Sequence, residues 1–223
     1  MKSKDELLKI AKPILFNTEM VRAILDGRKT VTRRCIKLKY SNTHHEMRTD
    51  KYGTRLIEIE NEVPGVTRGK HEDGSSWVKM RGYIEPKAPY KRGDILYVRE
   101  TWLKTDCFGL QDGYFYKANE TPNSKQVREE YGFKWRPSIH MPKEAARIFL
   151  RVTDVRAERL QDIMKDPPGP KNQIVREGCK YGCDFIAEWE NTIPKANRSQ
   201  YGWDANPWVW VVEFERVVPD ELQ

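Results

Sequence analysis

Apolar residues along this chain recur at two spacings. Between Asn17 and Gly27, the residues Met20, Val21, Ile24 and Leu25 fall on one helical stripe. Asn17 or Thr18 precedes them as a capping side chain. Gly27 follows as the residue suited to the left-handed conformation that ends a helix. Next, Thr30-Val31-Thr32-Arg33-Arg34-Cys35-Ile36 is rich in β-branched residues and predicts a strand. Further strands are predicted over 55–59, 95–102, 114–116 and 147–152. From Trp208 to Phe214 the pattern alternates, with Trp208, Trp210, Val212 and Phe214 on one face. Asp184 to Ile193 predicts a short helix carrying Phe185, Ile186 and Trp189. The prolines of Asp166-Pro167-Pro168-Gly169-Pro170 exclude a helix through that segment. Turn formers (Ser41-Asn42, Pro64-Gly65, Asp73-Gly74-Ser75) break up the stretch 39–92. Many strands and few short helices predict one α+β domain on a twisted or closed sheet.

Composition narrows this picture. A chain of 223 residues can bury a sizeable core, and seven Trp exclude a disordered chain. No run approaches the length of a membrane span, and MKSKDELLKIAK lacks the apolar stretch of a signal peptide. A cytoplasmic protein with no membrane partner is therefore expected. The net charge of +7 is one-sided: residues 1–100 hold 22 Lys+Arg against 14 Asp+Glu, and the remainder 18 against 19. Such asymmetry points to a polyanionic partner, most simply nucleic acid. Cys35 and Cys107 are isolated, and Cys179 and Cys183 are spaced C-x3-C with only four His in the chain, among them His44, His45 and His71. Zinc sites use tighter pairs in two copies, so free thiols are expected, and no metal or other cofactor.

The chemistry concentrates where helix turns into strand, at DGRKTVTRR, residues 26–34. If Lys29 belongs to the turn and folds back over the strand, it meets Thr32. A Lys crowded by Arg28, Arg33 and Arg34 loses its proton more readily, and the neutral amine is a general base for a hydroxyl. The competing reading is a solvated basic turn. Glu100 shares a face with Leu96, Val98 and Trp102, so an inward carboxylate there needs a cation or carries a raised pKa. A structural salt bridge, to an Arg of the turn for instance, and a catalytic role are both open. Trp135-Arg136-Pro137-Ser138-Ile139-His140-Met141-Pro142 forms an extended strut. It either stacks on bases through Trp135 and Arg136, with His140 as a proton carrier, or packs as a loop. Tyr201-Gly202-Trp203-Asp204-Ala205-Asn206-Pro207 reads as a structural turn.

A helix, then Gly27-Arg28-Lys29-Thr30-x-Thr32-x-Arg34 opening a strand, then Gly93-Asp94 leading into another, and a closing strand rich in Trp and Val: this order resembles the ASCH domain family. The runs 98–102, 136–142 and 202–210 are similar to the longer ASCH proteins of bacteriophages and prophages. The resemblance covers about 12–38, 91–104 and 135–218, with 39–90 and 105–134 as insertions. It implies a small PUA-like β-barrel and partners among RNA, nucleosides and DNA. Some small ASCH proteins are amidohydrolases that deacetylate N4-acetylcytidine, with the Lys and second Thr of the motif acting beside a Glu of a later helical segment. The resemblance thus marks Lys29, Thr32 and Glu177 as catalytic, with Glu177 or Glu100 protonating the leaving amine. Arg28, Arg33, Arg34, Trp102, Trp135, Arg136 and His140 are the binding candidates. Other members are ribonucleases, which here would use Lys29 and His140, or binding modules without catalysis.

Overall fold

The computed structural model describes residues 3–41, 43–50, 53–60, 69–70, 76–77, 84–105, 113–167, 169 and 171–219. The helices are α1 (Lys4–Ile10), α2 (Thr18–Leu25), α3 (Pro122–Glu130), α4 (Gln173–Arg176), α5 (Gly182–Thr192) and α6 (Arg198–Tyr201). The strands are β1 (Lys12–Leu15), β2 (Val31–Cys35), β3 (Thr43–Asp50), β4 (Gly53–Glu60), β5 (Gly69–Lys70), β6 (Ser76–Trp77), β7 (Ile95–Arg99), β8 (Trp102–Lys104), β9 (Tyr114–Tyr116), β10 (Phe149–Arg159) and β11 (Trp208–Val217). The fold is mixed α+β. Five strands form one sheet in the order β1-β7-β10-β11-β2, parallel only between β1 and β7. The pairs β3–β4, β5–β6 and β8–β9 form separate antiparallel ladders.

The sheet is open: among the described residues no ladder joins its edge strands, β1 and β2. A side chain does join them. Arg34 on β2 donates from Nη2 to the Leu15 carbonyl on β1 at 2.6 Å, and its guanidinium lies 5.4 Å over the Phe16 ring. The sheet therefore curls until its two edges are bridged by one guanidinium.

Local signals explain most elements. Asn17, not Thr18, caps α2: its Oδ1 accepts the Met20 N–H at 2.8 Å. Gly27 sits at φ 73° and ends the helix as expected. The predicted strand 95–102 breaks after Arg99 and resumes at Trp102, leaving Glu100 at the break. β10 runs on to Arg159, with a register shift between Val152 and Asp154.

β11 shows where pattern reading fell short. Trp210, Val212 and Phe214 do share a face, packing with Phe16, Val21 and Ile24. Yet Val209 and Val211, on the opposite face, are fully buried as well, against Leu160, Ile163, Phe185 and Trp189. β11 lies between β10 and β2 with α5 covering its second face, so both faces exclude water. Burying each such side chain contributes roughly 1.5–3 kcal/mol. Among the described residues no helix is long and apolar enough to cross a membrane.

Candidate functional site

The end of α2 folds Lys29 inward. The N–H groups of Arg28 and Lys29 both donate to the Ala23 carbonyl at 2.9 Å, and Thr30 N–H donates to Arg176 O at 2.8 Å. That bond ties the turn to α4, whose last carbonyls lie against it. Gly178 makes the approach possible. Its φ is +92°, and a Cβ there would stand 2.8 Å from Ala23 Cβ and 3.4 Å from Lys29 Cβ. Glu177, just before it, is thereby set beside Lys29. Lys29 Nζ donates to Glu177 Oε2 at 2.5 Å and to Glu177 O at 2.7 Å. Arg33 Nη1 donates to Glu177 Oε1 at 3.0 Å, and its Nη2 to Gln173 Oε1 at 2.9 Å. All three charged side chains are buried.

The crowding arginines expected to depress the Lys29 charge are joined by a counter-charge, Glu177, which the resemblance had placed at the site. The charge nearest the ammonium is the Glu177 carboxylate, because a buried ammonium without a counter-charge would cost several kcal/mol. The proline-broken segment before Glu177 does not keep it away. The chain restarts as the single turn α4, and its capping residue Asn172 donates back to the carbonyls of Asp166 and Pro167.

Beside the pair lies a cavity of about 30 Å³ lined by Thr32, Arg33, Arg34, Glu177 and Glu188, with Met20, Phe185, Trp189 and Thr192 completing it. Thr32 is 2% exposed, and its hydroxyl forms no hydrogen bond with a described residue. Lys29 does not line the cavity; its side chain is fully enclosed behind Glu177. Glu188 is a residue that sequence reasoning missed. Its Oε1 accepts from Asn17 Nδ2 at 3.0 Å, and its Oε2 from Cys179 Sγ at 3.5 Å. Burial, reinforced by the charge and hydrogen bond of Glu188, pushes the Cys179 thiol up to about 12. The thiol thus stays protonated and keeps donating. The signal for Glu188 was present: Phe185, Glu188, Trp189 and Thr192 stand at i, i+3, i+4 and i+7 of α5, which puts the carboxylate on the apolar stripe.

A groove of about 580 Å³ runs outward from Arg34 past Lys37, Lys39 and Lys87, over Tyr90 and Trp210. Its two carboxylates are engaged. Glu58 accepts from the N–H groups of Lys39 and Tyr40 and from Thr43 Oγ1. Burial pushes the Glu58 carboxyl up, but those three donors outweigh it and hold the group below its ordinary value. Glu85 pairs with Arg55 at 2.9 Å. Lys37 and Lys87 form no ion pair with a described residue, so the groove is positive. Burial pulls the Arg34 guanidinium below its ordinary value, against the opposing influence of Tyr90 and Glu177. Even so, an arginine keeps its charge.

The other candidates fall elsewhere. Glu100 is 1% exposed, as its apolar face required, but its partner is not in the turn. Arg147 binds it through Nε at 2.8 Å and Nη2 at 3.0 Å, and stacks 4.0 Å from the Tyr116 ring centroid. Trp102 is a buried side chain under Arg136, whose guanidinium lies 5.2 Å from its ring. Trp135 is half-buried under Arg128, and His140 is exposed. None of these lines the Thr32 cavity or the basic groove. Arg28 is held by Asp26 and donates to Gly178 O, while Arg33 is enclosed with Glu177. Of the three arginines expected to face an anion, only Arg34 lines both the cavity and the groove.

Among the described residues no three His, Cys, Asp or Glu side chains converge as a metal-ligand set. Cys183 Sγ faces Asp184 at 3.9 Å rather than Cys179. His71 and Cys107 lie outside the described residues. Comparison of the chain with family models, with curated proteins and with solved structures finds no match.

Proposed function

We propose that this chain is an ASCH-type, PUA-like protein that holds a nucleotide or nucleic-acid strand along the basic groove and deacylates an N4-acylated cytidine at Thr32. One observation carries the reading: Arg34 lines both the cavity of Thr32 and Glu177 and the groove of Lys37, Lys87, Tyr90 and Trp210. Support for the fold comes from the origin of the strands. All five strands of the sheet come from 12–38, 91–104 and 135–218, the segments on which the resemblance rests. Arg34 bridging the sheet edges fits a nearly closed barrel. In the groove, ammonium groups hold phosphates, and the rings of Tyr90 and Trp210 offer stacking faces.

The cavity is about 30 Å³, the share of one water molecule, so it admits an acyl carbonyl while the base stays in the groove. Glu177, not Lys29, is the member of the pair that reaches this space. Thr32 Oγ attacks the acyl carbonyl carbon and its proton passes to Glu177. Arg34 stabilises the oxyanion. The C–N bond then breaks as that proton moves to N4, and cytidine leaves. Water hydrolyses the acyl ester on Thr32, giving the carboxylate and restoring the hydroxyl. Lys29 and Arg33 hold the Glu177 carboxylate in place throughout.

Incubation with N4-acetylcytidine, free and within an oligonucleotide, tests the reading. Cytidine and acetate are the expected products, lost in Thr32→Ala. No turnover of either substrate by the folded protein overturns the hydrolase. Lys37 and Lys87, which pair with no described residue, favour one second reading, a binder without catalysis. It predicts tight single-strand binding without turnover, with the slope of log K against log salt reduced by about 0.7 in Lys37→Ala or Lys87→Ala. A ribonuclease built on Lys29 and His140 has no such support, since Lys29 is enclosed and His140 borders neither space.

A further inference from the structure

A second cavity, about 490 Å³, lies between the β8–β9 ladder, α3 and the chain from Phe133 to Trp135. It shares no residue with the Thr32 cavity or the basic groove. Its volume falls within the roughly 300–1,000 Å³ of small-molecule sites. Tyr114, Phe115, Phe133 and Trp135 present aromatic surface to it, and the half-buried Val127 of α3 lines it as well. α3 has nine residues and buries none of them fully. A helix held so loosely leaves apolar surface that an inserted ring would cover.

The polar groups of the wall define the ligand further. Its charged residues, Glu120 and Arg128, pair with each other at 2.6 Å, their side chains 13% and 18% exposed. Arg128 also lies over the Trp135 ring and donates to Phe133 O. The two charges cancel, so the cavity has no demand for an ion, and an ionic ligand would enter without a counter-charge. The remaining polar groups are amides and hydroxyls, on Thr105, Tyr114, Tyr116, Asn119, Asn123 and Ser124. Asn119 has its oxygen occupied by Arg147 Nη2 at 3.2 Å, which leaves its NH2 group to donate. The wall thus surrounds an aromatic space with neutral hydrogen-bonding groups, which suits an uncharged ring with a polar edge.

We infer that this cavity binds an uncharged, flat aromatic molecule with a polar edge, at a site separate from Thr32. The inference stands whether or not Thr32 is catalytic.

Calorimetry and saturation-transfer NMR on the full chain test it with quinolin-2-one as probe. Two comparison compounds each lack one property: naphthalene-2-sulfonate is charged, and caprolactam is not aromatic. Quinolin-2-one is expected to bind at least about tenfold more tightly than either. Phe133→Leu removes one ring face and weakens binding roughly threefold to tenfold. Val127→Trp fills the space and removes binding. Asn123→Trp, at an exposed position of the same helix, makes the same test if Val127→Trp does not fold. Thr32→Ala binds the probe as the unaltered chain does. Absence of quinolin-2-one binding at millimolar concentration overturns the inference. So does binding that survives both filling substitutions, or a preference for the sulfonate.

Discussion

Glu177 and Glu100 are both buried carboxylates, 4% and 1% exposed, and each meets a guanidinium. They differ in what else is present. One residue, Arg147, occupies both oxygens of Glu100, and the pair borders none of the three cavities. Glu177 is divided between Lys29 and Arg33, which reach it from 148 and 144 positions away, and it borders a space shared with the Thr32 hydroxyl, which bonds no described residue. Burial and ion pairing are thus common to a structural carboxylate and a candidate catalytic one. What separates them is an open position next to the Thr32 hydroxyl, the proposed nucleophile.

The sharpest way to break this contrast is turnover. Glu177→Gln is expected to lower deacylation of N4-acetylcytidine by about 10²-fold or more, while Glu100→Gln leaves kcat/KM nearly unchanged at equal folded fraction. Equal losses would show that the two carboxylates do the same job.

Stability separates them next. Glu177→Ala strands two enclosed cations and is expected to cost about 3–5 kcal/mol in urea unfolding. Glu100→Ala costs less, about 1–3 kcal/mol, because Arg147 is 22% exposed and can turn to water. The reverse order would contradict the assignment of Glu177 to the more enclosed cluster. Gly178→Ala follows, at about 1–3 kcal/mol, since it adds a Cβ against Ala23 at a left-handed φ. It is also expected to lower turnover by moving Glu177 off Lys29; destabilisation with full activity would show that the approach of α4 does not set the site.

The smallest effect concerns acid. Hydrogen bonds from Arg176, opposed by burial and aided by Arg156, hold the Glu213 carboxyl below its ordinary value. A depressed carboxyl contributes stability above the ordinary glutamate value of about 4.3, and that contribution is lost as pH falls through the lower folded value. Glu213→Gln is therefore expected to flatten the acid limb of stability below that pH and leave Glu177 in place. Arg176 also donates to Thr30 Oγ1 at 3.2 Å, so an equal loss of turnover would extend the site to this outer network.

What was legible in the sequence was local. Asn17 and Gly27 bound a helix because capping and left-handed geometry are decided within one turn. β2, β7 and β11 follow from short runs of β-branched and aromatic residues. The inward side of Glu100 was expected from alternation, although the strand breaks just before it; the expected meeting of Lys29 with Thr32 is not seen, since Lys29 bonds Glu177 instead.

Other features depended on segments far apart in the chain. No local pattern states that Glu177 lands on Lys29 after a proline-broken stretch, that Gly178 must lack a side chain to let it, or that Arg34 closes the seam between β1 and β2. Nor does it state that Glu188, on an ordinary amphipathic helix, faces the same cavity as Thr32. The residue types and their periodicity by themselves determined the elements and the chemistry on offer. Only tertiary structure decided which charges are shared, because a buried ion takes its partner from whatever the packing brings within reach, whatever the distance along the chain.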